Sequence, residues 1–401
     1  MLWNSAGSLY YSGCQWLITV LVARLSSGYD AAGILSIAMS VSNIFSQIGL
    51  YRIRSFQVSD IREEYSSKEY VGFRLETIFA GFLIAMIYAL ASCSAEMMTP
   101  IFLYLLFRAG DVFVDVLHGV DQQHFRMDYC GKSMLIRATL FLISFTIGLV
   151  VFNSLNAAIA GMVLSTYPAI AYDINRTSKL SGIKPSITLE RSKNLLFTCL
   201  PAVIGMSLCS VVVAYARQYL GEVCGNSALG IYATVCTPIV IIQACANYVY
   251  APLLGVYAGK YAEGDTSGFI ALLKKTLLAL IGIFVICAAG FVLAGDQLLN
   301  IVFGPTIASN GGLIYAGLLC SMLTALVAFL SDLLISLRDM NGCLIGNLVG
   351  CVVSFPAAHI LIDLFGMNGT SLSISFSYVV VSFILLYRLA RLLREANMRL
   401  L

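Results

Sequence analysis

Long apolar runs follow one another along this chain, separated by short polar gaps. Twelve of them lie near 4–23, 31–51, 75–95, 100–118, 133–152, 156–173, 194–215, 229–250, 269–294, 313–336, 342–364 and 370–390. A bilayer-spanning helix needs roughly 20 predominantly apolar residues. The pattern therefore predicts an all-α polytopic membrane protein of about 12 transmembrane helices. The first run starts at Asn4 with no basic segment before it, and reads as a first span rather than a cleaved signal peptide. The longest polar stretch, near 174–193, divides six runs from six. The expected organisation is an N-terminal six-helix lobe over 1–175, a cytoplasmic linker over 176–193 and a C-terminal six-helix lobe over 194–401.

Composition agrees with the pattern. The chain is 59% hydrophobic and only 11% charged, where a soluble domain carries about 25% charged residues. No basic stripe interleaved with aromatics stands in a soluble segment, so a nucleic-acid partner is not expected. Of the 24 Lys and Arg, all but Arg24, Arg108 and Arg217 fall at one set of alternate gaps, in them or at the adjoining ends of the runs. Positive charge in short loops stays on the cytoplasmic side, which places both termini in the cytoplasm. Basic residues such as Arg54, Arg74 and Arg137 are explained by that orientation alone.

The three exceptions lead to the chemistry. Arg24 and Arg217 each close the first span of their half, after the apolar runs Ile18–Ala23 and Val211–Ala216. A short internal echo follows each: AGILSIA at 32–38 and LGIYATV at 229–235, then Gln47 or Gln243 thirteen or fourteen residues beyond the glycine. An arginine fork suits phosphate oxygens, so the pair could form an anion receptor; alternatively, each anchors a helix at the outer headgroups. Two halves of even span number have the same orientation, with a substrate path expected at their interface.

Arg108 lies inside the fourth span, with Asp111 and Asp115 on the same helical face. A charge at the bilayer centre costs at least about 2.5–3.5 kcal/mol, so this face must point into protein or a wet cavity. Two readings stand side by side: an ion pair locking the helix, or a cavity site for ion coupling. Asp332 at the end of the tenth span reads either as a carboxylate reaching interfacial water or as a site for ion coupling, and His359 with Asp363 in the eleventh either as an interfacial hydrogen bond or as a proton-carrying pair. Pro201, Pro238 and Pro252 are expected to bend spans seven and eight. The 12 cysteines lie mostly in apolar runs without a C-x-x-C pair, and only 3 histidines are present, so no metal site and no cofactor are expected.

Several stretches resemble one family. They are Cys14 to Leu25 (CQWLITVLVARL), Asp30 through Gly33 to Ser42-Asn43, Phe56 to Asp60 (FQVSD), and Leu229 to Thr234. They are similar to the polysaccharide and O-antigen flippases of the multidrug/oligosaccharidyl-lipid/polysaccharide exporter superfamily. That resemblance implies a MATE-like, V-shaped fold of two lobes around a cationic cavity. It implies a flippase, not an enzyme, in a bacterial plasma membrane. The substrate implied is an oligosaccharide on undecaprenyl pyrophosphate, moved by alternating access to the outer leaflet for surface polysaccharide or lipopolysaccharide biosynthesis. Partners would be that lipid-linked substrate, membrane lipids and other polysaccharide-assembly proteins. By position in the family, Arg24 and Arg217 would bind the pyrophosphate. Gln15, Gln47 and Gln243, with Tyr10 and Tyr11, are candidates to meet sugars. The alternatives are a cation-coupled multidrug antiporter of the same superfamily, which would use Asp111, Asp115 and Asp332, and a membrane polysaccharide polymerase or ligase. The latter needs a sizeable external loop, and the gaps here are short.

Overall fold

The computed structural model describes residues 2–25, 30–236, 238–303 and 311–398. Their regular structure is helical throughout, with no strand among the described residues. In order, the helices are α1 (Leu2–Leu25), α2 (Asp30–Leu50), α3 (Ile53–Val58), α4 (Ser67–Ser92), α5 (Met98–Gln123), α6 (Met127–Phe152), α7 (Leu155–Thr177) and α8 (Leu189–Cys236). They continue with α9 (Ile241–Tyr250), α10 (Leu254–Ala262), α11 (Thr266–Phe303), α12 (Leu313–Ser336), α13 (Met340–Phe365) and α14 (Met367–Met398). Ten spans among the described residues are long and apolar enough to cross a membrane. In hydrocarbon every backbone N–H must find its acceptor within the segment, so apolar runs of this length fold as helices. The 26 residues of α5 rise about 39 Å, but Arg108, Asp111 and Asp115 interrupt its apolar character.

Polar residues in the gaps set the helix starts. The Glu69 carboxylate accepts from the Ser66 N–H at 2.8 Å and from its hydroxyl at 2.9 Å ahead of α4. Asp265 accepts from the Gly268 N–H at 2.8 Å before α11, and Asp339 from the Gly342 N–H at 2.9 Å before α13. Each satisfies a donor that the first helical turn leaves orphaned.

Two compact units divide the chain, residues 1–203 and 204–401. In the first, α1 packs on α6, α6 and α5 on α7, and α2 on α4 and α5. In the second, α13 and α12 pack on α14, and α9 packs on α11 and α12. The tyrosine of α8 at Tyr215 meets Phe355 of α13, ring centroids 4.5 Å apart. The same pairing scheme is thus used twice. The segment after α7 belongs to the first unit because it is tied to α4: the Ser186 N–H reaches the Lys68 carbonyl at 3.2 Å, and Arg191 meets Glu69 at 2.6 Å.

Lipid removes the hydrophobic incentive for helix association, so close packing and small residues hold the bundle. A Cβ at Gly7 would collide with the backbone of Gly131, joining α1 to α6, and one at Gly148 would collide with Ala158, joining α6 to α7. Around these contacts lies an aromatic core: Tyr11 and Phe107 both set their rings edge-on to Phe141, at 5.3 and 5.6 Å.

The structure departs from the sequence expectation in three places. α4 and α6 begin well before the apolar runs at 75 and 133, at Ser67 and Met127. The seventh span does not end near 215; α8 continues until Gly225, whose φ of 85° and ψ of 161° break it. Pro201 lies inside α8 without breaking it, whereas Pro238 and Pro252 fall in the 3-10 turns Pro238–Val240 and Ala251–Leu253 that interrupt the eighth span.

Candidate functional site

In the first unit, charges on α5 anchor two clusters one helical turn apart. α5 presents Arg108, Asp111 and Asp115 toward five other helices. Asp111 accepts from Arg108 of its own helix at 2.9 Å, from Arg137 of α6 at 3.1 Å and from the Tyr11 hydroxyl of α1 at 2.5 Å. The second guanidinium nitrogen of Arg108 donates to Ser46 of α2 at 3.2 Å. One turn along α5, Asp115 accepts from Arg74 of α4 at 2.7 Å and from Arg54 of α3 at 3.2 Å. Arg74 also donates to the Gly49 carbonyl at 2.6 Å. Four guanidiniums thus share two carboxylates in direct contact. The i,i+3 pair read from sequence is formed, but it is one edge of a larger lattice that ties α1 to α6 together.

Orientation alone does not account for Arg54, Arg74 and Arg137, contrary to the sequence expectation, because each is bound to a carboxylate of α5. Arg74 is 0% exposed and Arg137 5%. Arg74 lies on the part of α4 that precedes its apolar run and Arg137 near the start of the run in α6, and both are packed into the interior. A sequence signal existed: Arg137 has Leu135-Ile136 before it and Ala138 after it, and Arg74 stands between Phe73 and Leu75. An arginine with apolar neighbours on both sides is more readily buried than one in a polar gap.

The second unit contains a cavity of about 140 Å³. Arg217 of α8 lines it with Tyr232, Gln243 of α9, Ser321 and Thr324 of α12, and Ser371 of α14, together with apolar side chains. The structure thus brings together two of the proposed substrate-binding residues, Arg217 and Gln243. The lining groups are oriented: the Gln243 amide donates to Ser321 at 3.1 Å, Ser321 donates to the Ile239 carbonyl at 3.0 Å, and Tyr232 and Ser371 share a hydrogen bond of 2.9 Å. Among the described residues lining the cavity, none is a carboxylate. Arg217 is exposed to it. A guanidinium beside hydroxyl and amide groups is suited to a phosphate or to sugar hydroxyls.

The other sequence candidates are placed as follows. Arg24 stands in the last turn of α1, and its side chain lies outside the described residues. Gln15 is half-buried on α1 and Gln47 is exposed on α2. Tyr10 shares a 3.1 Å hydrogen bond with Thr139 of α6. Asp332 is buried in the second unit, where the Tyr250 hydroxyl donates to it at 3.1 Å. His359 and Asp363 are each met by a tyrosine of α8, His359 by Tyr215 at 2.8 Å and Asp363 by Tyr219 at 3.0 Å. The family-like stretch Phe56 to Asp60 is structural. Asp60 accepts from the Tyr70 hydroxyl at 2.6 Å and from two backbone N–H groups, and Gln57 is buried against Gly119 of α5.

This is a multi-pass membrane protein with the MATE transporter fold. The chain overlays a Vibrio cholerae MATE transporter, VcmN, with a TM-score of 0.82, covering 100% of this chain and 97% of that one at 13% identity. It overlays a Pyrococcus furiosus transporter of the MOP superfamily, described as having a binding pocket of reverse polarity, with a TM-score of 0.78 at 13% identity, covering 98% and 95% of the two chains. In sequence it is similar to the Staphylococcus aureus capsular polysaccharide biosynthesis protein CapF, 27% identical over 305 residues, or 74% of this chain and 75% of that one. No family model matches the chain.

Proposed function

We propose that this protein is a flippase for an undecaprenyl-pyrophosphate-linked oligosaccharide in a bacterial plasma membrane, working by alternating access in surface polysaccharide assembly. The observation that carries this reading is the cavity around Arg217, in which a guanidinium stands among neutral hydrogen-bonding groups without a carboxylate. An organic cation would find no counter-charge there, whereas a pyrophosphate would. A phosphate cannot enter hydrocarbon uncompensated, so its carrier must replace water with fixed donors. Arg217 would bind phosphate oxygens bidentately, with Gln243, Ser321 and Thr324 meeting the remaining oxygens or a sugar. Arg24, at the equivalent place in the first half, would supply the second cation. The likeness to a capsular polysaccharide protein supports the substrate class, as does the excess of arginine over carboxylate around Asp111 and Asp115.

Arg217→Ala should abolish surface polysaccharide in cells that depend on this gene, while the protein remains in the membrane at its normal amount. Hydrogen bonds to charged groups contribute about 1.5–3 kcal/mol each, so substrate affinity should fall roughly 10- to 150-fold. Arg217→Lys should keep part of the activity, because charge survives and the fork is lost. Normal polysaccharide with Arg217→Ala rejects the reading. A cation-coupled multidrug antiporter is the second reading, favoured by the half-buried Asp111 and the buried Asp332. It predicts drug sensitivity, not polysaccharide loss, in the same cells.

A further inference from the structure

At the turn between α5 and α6 the chain places three metal-ligating side chains together. His118 and Asp121 are three apart on α5 and share a face; Cys130 faces them from the start of α6. One donor atom from each lies within 4.8 Å of the other two, and all three residues are buried. The Cys130 sulfur is 4.0 Å from a carboxylate oxygen of Asp121 and 3.8 Å from the His118 carbonyl. Independently, the Nε2 of His118, a residue 2% exposed, is buried without a hydrogen-bond partner. A buried imidazole nitrogen is ordinarily paired.

We propose that His118, Asp121 and Cys130 form a binding site for a divalent transition metal of the zinc class. The donor set is the first argument. Nitrogen, carboxylate oxygen and thiolate are the three ligand types of protein zinc sites, with bonds of about 2.0–2.3 Å. A tetrahedral centre with such bonds spaces its ligands roughly 3.3–3.6 Å apart, so closing the triad requires shifts of about 1 Å. Charge is the second argument. One thiolate and one carboxylate neutralise a divalent cation, so the filled site adds no net charge to a buried region. Orientation is the third. The Thr177 hydroxyl of α7 donates to Asp121 at 3.1 Å, leaving the other carboxylate oxygen toward Cys130. Such outer contacts hold a ligand in place for its metal. On binding, the Cys130 thiol gives up its proton to solvent as its sulfur takes the metal, so affinity falls with acidification. The filled site would clip α5 to α6 at their turn and, through Thr177, to α7. The spacing His-x2-Asp-x8-Cys lacks the cysteine pair by which zinc sites are read from sequence.

Cobalt(II) provides the test, as a spectroscopic stand-in for zinc. The full chain, purified in detergent and stripped with a chelator, should take up one equivalent of cobalt. A thiolate-to-cobalt charge-transfer band should appear in the near ultraviolet and be displaced by zinc. Cys130→Ser should remove the band, and Thr177→Val should weaken binding roughly 10- to 100-fold. Absence of a saturable band in the natural chain overturns the proposal, and so does a band that persists in Cys130→Ser. Should Cys130→Ser fail to fold, thermal unfolding of the natural chain decides. Zinc, but not magnesium, should raise its midpoint, and no rise overturns the proposal.

Discussion

Arg74 and Arg217 show how differently two arginines can be used in one membrane protein. Arg74 is fully buried, anchored to Asp115 and to a backbone carbonyl, and its partners come from two other helices. Removing one member of a buried pair leaves an uncompensated charge, at a cost of about 3–5 kcal/mol. Asp115→Ala should therefore lower the thermal unfolding midpoint of the purified protein markedly, whereas Arg217→Ala, at an exposed cavity position, should leave it nearly unchanged. Equal midpoints for the two variants would remove the structural role assigned to Asp115. Asp265 offers a pH-dependent case outside the spans. Its hydrogen bond from Lys260, with further ones from the Gly268 N–H and the Ser267 hydroxyl, holds its carboxyl at a pKa of about 2. A depressed carboxyl stabilises the fold fully above its unfolded value, about 4, and this contribution is lost as the pH falls from there through 2. Protection against hydrogen exchange in the first turn of α11, relative to the intrinsic rate, should fall across that window. Asp265→Asn should exchange faster at neutral pH and lose the dependence.

At the scale of helices, small residues and breaks determine the packing. Gly131→Val would drive a side chain into the backbone of Trp3 and Asn4, so α1 could not remain against α6, and detergent-solubilised protein should aggregate or melt early. Gly225 is a different case. Nothing lies within 4 Å of its missing side chain, but its backbone occupies a region that is essentially restricted to glycine. Gly225→Ala should destabilise by about 1–3 kcal/mol, read as a lower unfolding midpoint with the helical circular dichroism retained. Much of the element map was readable in the sequence: the apolar run 313–336 coincides with α12, because both of its ends are marked by polar or glycine residues. The starts of α4 and α6 were not readable. Hydropathy reports depth in lipid, and these helices continue beyond the lipid-like stretch in turns rich in polar residues. That missing length is also why Arg74 reads as a loop charge, whereas Arg137 stands near the start of its own apolar run and reads as a boundary charge.

For the whole molecule, an all-helical membrane protein was evident from the spacing of apolar runs alone, and the fold likeness to MATE transporters agrees with it. Less of the candidate site could be read. Arg217 and Gln243 stood out through their place in an internal echo, and the structure assembles them in one cavity. Their companions Ser321, Thr324 and Ser371 come from distant helices and carry no local signature, since serine and threonine are common packing residues in spans. The network around Asp111 and Asp115 was half visible as an i,i+3 pair, because the remaining partners are tertiary neighbours. The transport reading is tested most directly by translocation in vesicles. Purified protein reconstituted into liposomes should move a fluorescent undecaprenyl-pyrophosphate oligosaccharide between leaflets, and Arg217→Ala, equally folded, should not. Vesicles that leave the lipid-linked sugar in place but exchange a cationic dye for protons would contradict the flippase assignment.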